Sequence, residues 1–144
     1  MAKATAASAI LPRLYLGGFK AARSAGDYAL IVNLSAVPVK RSRTPTILWP
    51  IEDGSRIPNE EALWAIARHV ADILARSQRS RVLVHCSAGR NRAALLCTLV
   101  VMLRRHVSGA EAVQRVRAKR PGALDNPAFE KWLLKQKVKE KSRG

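Results

Sequence analysis

Cysteine is scarce: the 144 residues hold two, Cys86 and Cys97, and Cys97 lies inside a run that reads as buried helix. One bridge at most could form, which excludes a disulfide framework and a paired Cys-His finger. Reduced thiols fit a cytoplasmic protein. Histidine is nearly as rare, and His69, His85 and His106 have no metal-ligand spacing, so neither a metal nor a cofactor is expected. Aromatic residues make up only 5% of the chain. They do not interleave with basic residues as in an RNA-stacking sheet, and no helix-turn-helix is evident, which argues against a dedicated sequence-specific reader of nucleic acid. No apolar run approaches the ~18 residues of a membrane span, and Pro12 and Arg13 interrupt the N-terminal apolar stretch before it could act as a secretory signal. Acidic residues number 10 against 26 Lys plus Arg, for a formal net charge of +16. That excess speeds encounter with anions and favours non-specific contact with polyanions, and carries no information about fold.

What is present suggests a single domain over 1–144, with loose tails at 1–9 and 136–144. A chain of this length buries roughly 68–70% of its unfolded surface. Order is expected from Ile10. "LYLGG" reads as a strand stopped by Gly17 and Gly18, a helical turn follows around Lys20 to Ser24, and "ALIVNLS", Ala29 to Ser35, has the continuous apolar core of a buried parallel strand. Val37 to Pro45 is a basic loop, "ILWPI" a further strand ended by Pro50, and "EDGSRIP" a turn-rich connection. An amphipathic helix starts after Asn59, with Leu63, Ile66, Ala67, Val70, Ile73 and Leu74 at helical spacing. "RVLVHC" gives a short buried strand and "NRAALLCTLVVMLRRH" a helix apolar nearly all round. Ser108 with Glu111 caps a third helix to about Arg117, and Asn126-Pro127 opens a fourth with Phe129, Trp132 and Leu133 on its apolar side. The charged tail from Lys135 is expected to fray. Strands alternating with helices predict an α/β fold: one central, mostly parallel sheet of about four to five strands with helices on both faces.

The stretch "VLVHCSAGRNRAALL", residues 82–96, carries the chemistry. A buried strand ends at His85-Cys86, a loop of Ser87 to Asn91 follows, and a helix starts at about Arg92. Such a turn aims successive backbone N–H groups and a helix dipole at one point, which suits an anion. Gly89 lets the backbone curl, and Arg92 offers a planar fork for phosphate. In that field a thiolate is favoured over a thiol, so Cys86 reads as a nucleophile inside a phosphate cradle.

"HCSAGRNR" carries the His-Cys-x5-Arg signature of the cysteine-dependent phosphatases, and the chain resembles their compact dual-specificity branch. "ILPRLYLGG" is similar to that family's opening strand, "LIVNLS" to its next, "PIEDG" to its general-acid loop and "RPGALDNPAFEKWL" to its terminal helix entry. The resemblance implies a dual-specificity-phosphatase-like fold and hydrolysis of phosphomonoesters through a phosphocysteine. In it Cys86 attacks phosphorus, while Arg92 and the backbone of Ser87, Ala88, Gly89, Arg90 and Asn91 bind the phosphoryl oxygens. Asp53 matches the general acid, with the adjacent Glu52 as the alternative. His85 implies a supporting role, positioning the Cys86 backbone from the opposite strand face, and Asn126 one bracing the active-site loops, though it also suffices as a plain helix cap. The family usually places Ser or Thr after the signature Arg; Ala93 stands here, which implies slow breakdown of the phosphoenzyme. A chain without long insertions implies a shallow cleft open to phosphotyrosine and phosphoserine or phosphothreonine proteins. Arg90 and the basic loop Lys40 to Arg43 keep a phosphoinositide phosphatase and an RNA 5'-phosphatase open as alternatives, and Ala93 a catalytically weak phosphate-binding module.

Overall fold

The computed structural model describes residues 7–23, 26–39 and 43–137. Its elements run β1 (Ser8–Leu11), β2 (Leu14–Gly17), α1 (Phe19–Arg23), β3 (Leu30–Asn33), β4 (Thr46–Leu48), α2 (Glu60–Arg76), β5 (Val82–His85), α3 (Arg92–Arg105), α4 (Gly109–Lys119) and α5 (Pro127–Leu134). The five strands form one sheet in the order β1-β2-β5-β3-β4. β2, β5, β3 and β4 are parallel, and β1 adds antiparallel at the edge. This is the expected α/β architecture.

Side-chain alternation divides the sheet into two faces. Leu14, Leu16, Leu30, Val32, Val82, Val84 and Cys86 join the main core. Ile31 and Leu83, from the intervening positions, form a second cluster with Ala22 of α1, flanked by Tyr15 and Tyr28. The larger face packs α2, α3, α4 and α5; the smaller is covered by α1. Helix α3 is buried at every position from Ala93 to Met102, as a helix apolar on all sides must be.

Local chemistry sets the element ends. Asn59 Oδ1 accepts from Ala62 N at 3.1 Å to cap α2, and Ser108 Oγ accepts from Glu111 N at 3.2 Å to cap α4. The second half of the expected capping box is absent, because the Glu111 carboxylate pairs forward with Arg115. Asn126 Oδ1 accepts from Ala128 N and Phe129 N, with Pro127 in the first turn of α5. Beyond β3, Asn33 Oδ1 takes Ser35 N at 2.9 Å and Ser35 Oγ at 2.7 Å, which folds the chain into a turn and ends the strand two residues before Ser35.

Three expectations at the margins change. Order starts before Ile10: β1 begins at Ser8, because the chain turns back through Arg13, at φ 71°, and pairs Ser8 with Leu16. Helix α4 runs to Lys119 rather than Arg117. Lys135 and Gln136 do not belong to a loose tail, since Lys135 N donates to Trp132 O at 3.1 Å, Gly109 N to Gln136 O at 3.0 Å and Gln136 N to Leu133 O at 2.9 Å. Ser24, Lys40 to Ser42 and residues 138–144 lie outside the described residues, so the basic-loop reading rests there on Arg43 alone.

Candidate active site

Strand β5 lies between β2 and β3, so its carboxyl end opens at the point where the chain winds to either side of the sheet, the usual position of a ligand crevice in a parallel fold. Both neighbours hold that end in place: Cys86 N donates to Gly17 O at 3.3 Å and Leu34 N to His85 O at 2.9 Å. Residues 86–91 then loop into α3.

The loop is tied back at its carbonyls. Phe19 N donates to Ser87 O at 3.0 Å, Leu124 N to Arg90 O at 2.7 Å, and Arg120 Nε to Gly89 O at 2.7 Å. In a trans peptide the N–H points opposite to the C=O, and the described chain has no cis bond. The N–H groups of Ala88, Arg90 and Asn91 are thereby turned to the other side of the loop. There a cavity of about 200 Å³ is lined by Asp53, Cys86, Ser87, Ala88, Arg90, Asn91, Arg92 and Asp125.

Cys86 lies at the floor of that cavity, 2% exposed. The Arg92 guanidinium spans it, Nη2 donating to Ser87 Oγ at 3.1 Å and Nη1 reaching Ile51 O at 3.4 Å. On the far wall, Asp53 accepts through both carboxylate oxygens: Oδ1 from Asn126 Nδ2 at 2.6 Å and Oδ2 from Asn91 Nδ2 at 3.0 Å. Asn91 is a bridge, because its Oδ1 also accepts from Asn126 N at 2.9 Å. Asn126 therefore both caps α5 and holds the Asp53 loop, adding a bond to Gly54 O at 2.9 Å. Arg90 is exposed and pairs with Asp125 at the edge of the cavity.

His85 is 1% exposed and faces α1, with Phe19 edge-on at 6.0 Å between ring centroids. Its Nδ1 lies 3.4 Å from Cys86 O. Burial lowers its pKa from 6.5, and the contact with the Cys86 carbonyl opposes that in part. The ring is thus neutral and packed behind the loop.

Two expected residues take other positions. Gly89 does not line the cavity: at φ +69° it folds backwards, and a Cβ there would meet Gly17 C at 2.6 Å and the Arg120 guanidinium at 2.8 Å. Its contribution is the turn itself. Glu52 is exposed and absent from the lining; of the two carboxylates that do line the cavity, Asp125 is paired with Arg90 and Asp53 is held by the amides of Asn91 and Asn126. Sequence reasoning missed Asp125, Arg120 and the Asn91 bridge. Arg120, before Pro121-Gly122, is 8% exposed. Cys97 lies beneath the loop in α3. Burial pushes its thiol well above the ordinary range, the neighbouring Cys86 adds to this and Arg120 offsets it.

The profile described as "Dual specificity phosphatase, catalytic domain" matches residues 14–139. Dual specificity phosphatase 28 of Homo sapiens is 33% identical, over 91% of this chain and 76% of its own length. Protein tyrosine phosphatase PRL-1 of Leishmania major is 30% identical, over 67% of this chain and 57% of its own. The crystal structure of human DUSP28 superposes with a TM-score of 0.70 at 29% identity, covering 90% of each chain.

Proposed function

The chain belongs to the dual specificity phosphatase family and is a protein phosphatase of the tyrosine/dual-specificity class, and from that premise we propose which of its residues carry the reaction. Mechanism in this family runs through a phosphocysteine. Cys86 Sγ attacks phosphorus in line with the leaving oxygen. The backbone N–H groups of the loop and the Arg92 guanidinium hold the three equatorial oxygens and stabilise the charge that develops on them. Asp53 gives the leaving oxygen its proton. Water then attacks the phosphocysteine, Asp53 takes the proton back, and inorganic phosphate and the Cys86 thiolate are released.

The observation that carries this reading is the meeting, in one cavity of about 200 Å³, of a buried thiol, a tied-back loop of amides, the Arg92 guanidinium and the Asp53 carboxylate, with the paired Arg90 and Asp125 completing the lining. The two amide donors on Asp53 suit its ionised form, the one that activates water in the second step. For the first step the protonated carboxyl group directs its O–H to the leaving oxygen in place of one of these contacts. Phosphotyrosine and phosphoserine or phosphothreonine proteins are the substrates this reading supports. Relatives named as protein phosphatases favour them over phosphoinositides or RNA ends.

The test is hydrolysis of an aryl phosphate and of phosphopeptides by the wild type, Cys86→Ser and Asp53→Asn. Vanadate-sensitive turnover is expected, abolished in Cys86→Ser. Asp53→Asn should slow phosphoserine peptides by about 10²–10⁴-fold, the usual worth of a general acid, and aryl phosphates with good leaving groups far less. Equal slowing of both substrates would remove Asp53 from the acid role. Vanadate binding without turnover would favour the phosphate-binding module.

A further inference from the structure

Three carbonyls of the phosphate loop are tied back, two of them by backbone amides of Phe19 and Leu124 and the third, that of Gly89, by the side chain of Arg120. Arg120 lies at the end of α4, 8% exposed, with its guanidinium packed behind the loop. Its Nε donates to Gly89 O at 2.7 Å and its Nη1 to Ser8 Oγ at 2.9 Å. A Cβ on Gly89 would come within 2.8 Å of its Nη2, so glycine is what lets the guanidinium close on the loop. Two donors leave this one planar group in different directions, to the loop and to β1, and a lysine ammonium could not reproduce that fixed fork.

We propose that Arg120 is a positioning residue for the phosphatase reaction: it fixes the Gly89–Arg90 peptide with its N–H toward the phosphoryl group and holds a buried positive charge behind Cys86. This rests on the reading of residues 86–92 as a phosphate cradle. The bond to Gly89 O determines which way the Arg90 N–H points, because the two ends of a trans peptide face opposite sides. The charge is placed for the sulfur as well. Burial lowers the Arg120 pKa, and Cys86 and Cys97 oppose that shift, so the guanidinium and the Cys86 sulfur are electrostatically coupled through the loop. The arrangement also gives β1 a purpose, since Ser8 anchors the outer edge of the guanidinium.

The test uses the full chain and the variants Arg120→Gln, Arg120→Lys and Ser8→Ala. Two quantities are read for each: alkylation of Cys86 by iodoacetamide against pH, located by mass spectrometry, and inhibition by vanadate. In Arg120→Gln, alkylation at neutral pH should be about tenfold slower, its profile displaced to higher pH by about one unit, because the rate follows the thiolate fraction. Vanadate inhibition should weaken by about tenfold. Arg120→Lys should restore the alkylation profile, which follows charge, and leave vanadate inhibition weak, which follows the fork. A folded Arg120→Gln with wild-type alkylation and vanadate inhibition would overturn the proposal. If that variant does not fold, Arg120→Lys with wild-type vanadate inhibition overturns it, and weakened inhibition in both Arg120→Lys and Ser8→Ala supports it. Alkylation does not depend on turnover, so a wild type that fails to hydrolyse aryl phosphate would count against the catalytic reading, and the alkylation profiles would still decide the role of Arg120.

Discussion

Ala93 follows Arg92 in the first turn of α3 and is fully buried, so the position beside the loop that carries a hydroxyl in most of the family carries only a methyl group here. The thiolate that departs when the phosphocysteine is hydrolysed therefore lacks one donor, and an oxyanion-type donor is worth about 10²–10³ in rate when a site depends on it. An aryl phosphate should give a pre-steady-state burst followed by slow turnover, and Ala93→Ser should raise the steady rate by about tenfold or more without changing the burst; absence of a burst in the wild type would contradict this. His85 makes a separate prediction about pH. Its folded pKa lies below the 6.5 of the unfolded chain, so it contributes stability that is present above that pH and lost below it, where the unfolded chain takes up a proton that the folded ring refuses. The unfolding free energy of the wild type, measured with denaturant, should fall more between pH 7.5 and 5.5 than that of His85→Asn, by up to about 1.4 kcal/mol per pH unit. Equal falls would remove His85 from the acid-side loss.

At the level of elements, β5, its loop and α3 were legible because their signals are local: an apolar run, a glycine, an arginine fork and an apolar helix follow one another in fifteen residues. Strand β1 was not, because four residues ending at Leu11, just before Pro12, carry too little alternation to register, and their pairing depends on a non-glycine residue at positive φ. The ties that shape the site have no local signal for the same kind of reason. Arg120 to Gly89 joins segments far apart in the chain, and the Asn126 brace on Asp53, legible only through the family resemblance, likewise depends on the packing of α4 and α5 against α3. Gly109 bears on that packing. A Cβ there would lie 1.8 Å from Leu133 O, so the start of α4 and the end of α5 meet backbone to backbone. Gly109→Ala should cost about 1–3 kcal/mol, the range for overpacking, measured by denaturant unfolding. It should also lower activity on phosphoserine peptides by loosening Asn126 from Asp53. Wild-type stability in this variant would mean that α5 does not need that contact.

For the whole molecule, the chain carries a formal net charge of +16, and its candidate site is a cavity of about 200 Å³. Several acidic side chains are already engaged by arginines, Asp125 by Arg90, Glu111 by Arg115 and Glu130 by Arg117, which leaves the wider surface basic. Long-range attraction of that kind is screened over about 10 Å at 0.1 M salt, whereas contacts inside the cavity are screened much less. Raising the salt should therefore increase KM for an acidic phosphopeptide and leave kcat nearly constant; a KM that ignores salt would mean that the surface charge takes no part in capture. The central claim, that Cys86 becomes phosphorylated during turnover, is tested most directly by quenching the reaction in acid within the first turnover and locating the phosphate by mass spectrometry. Phosphate is expected on the peptide that carries Cys86, and none in Cys86→Ser. Hydrolysis that proceeds while that peptide stays unmodified would contradict it.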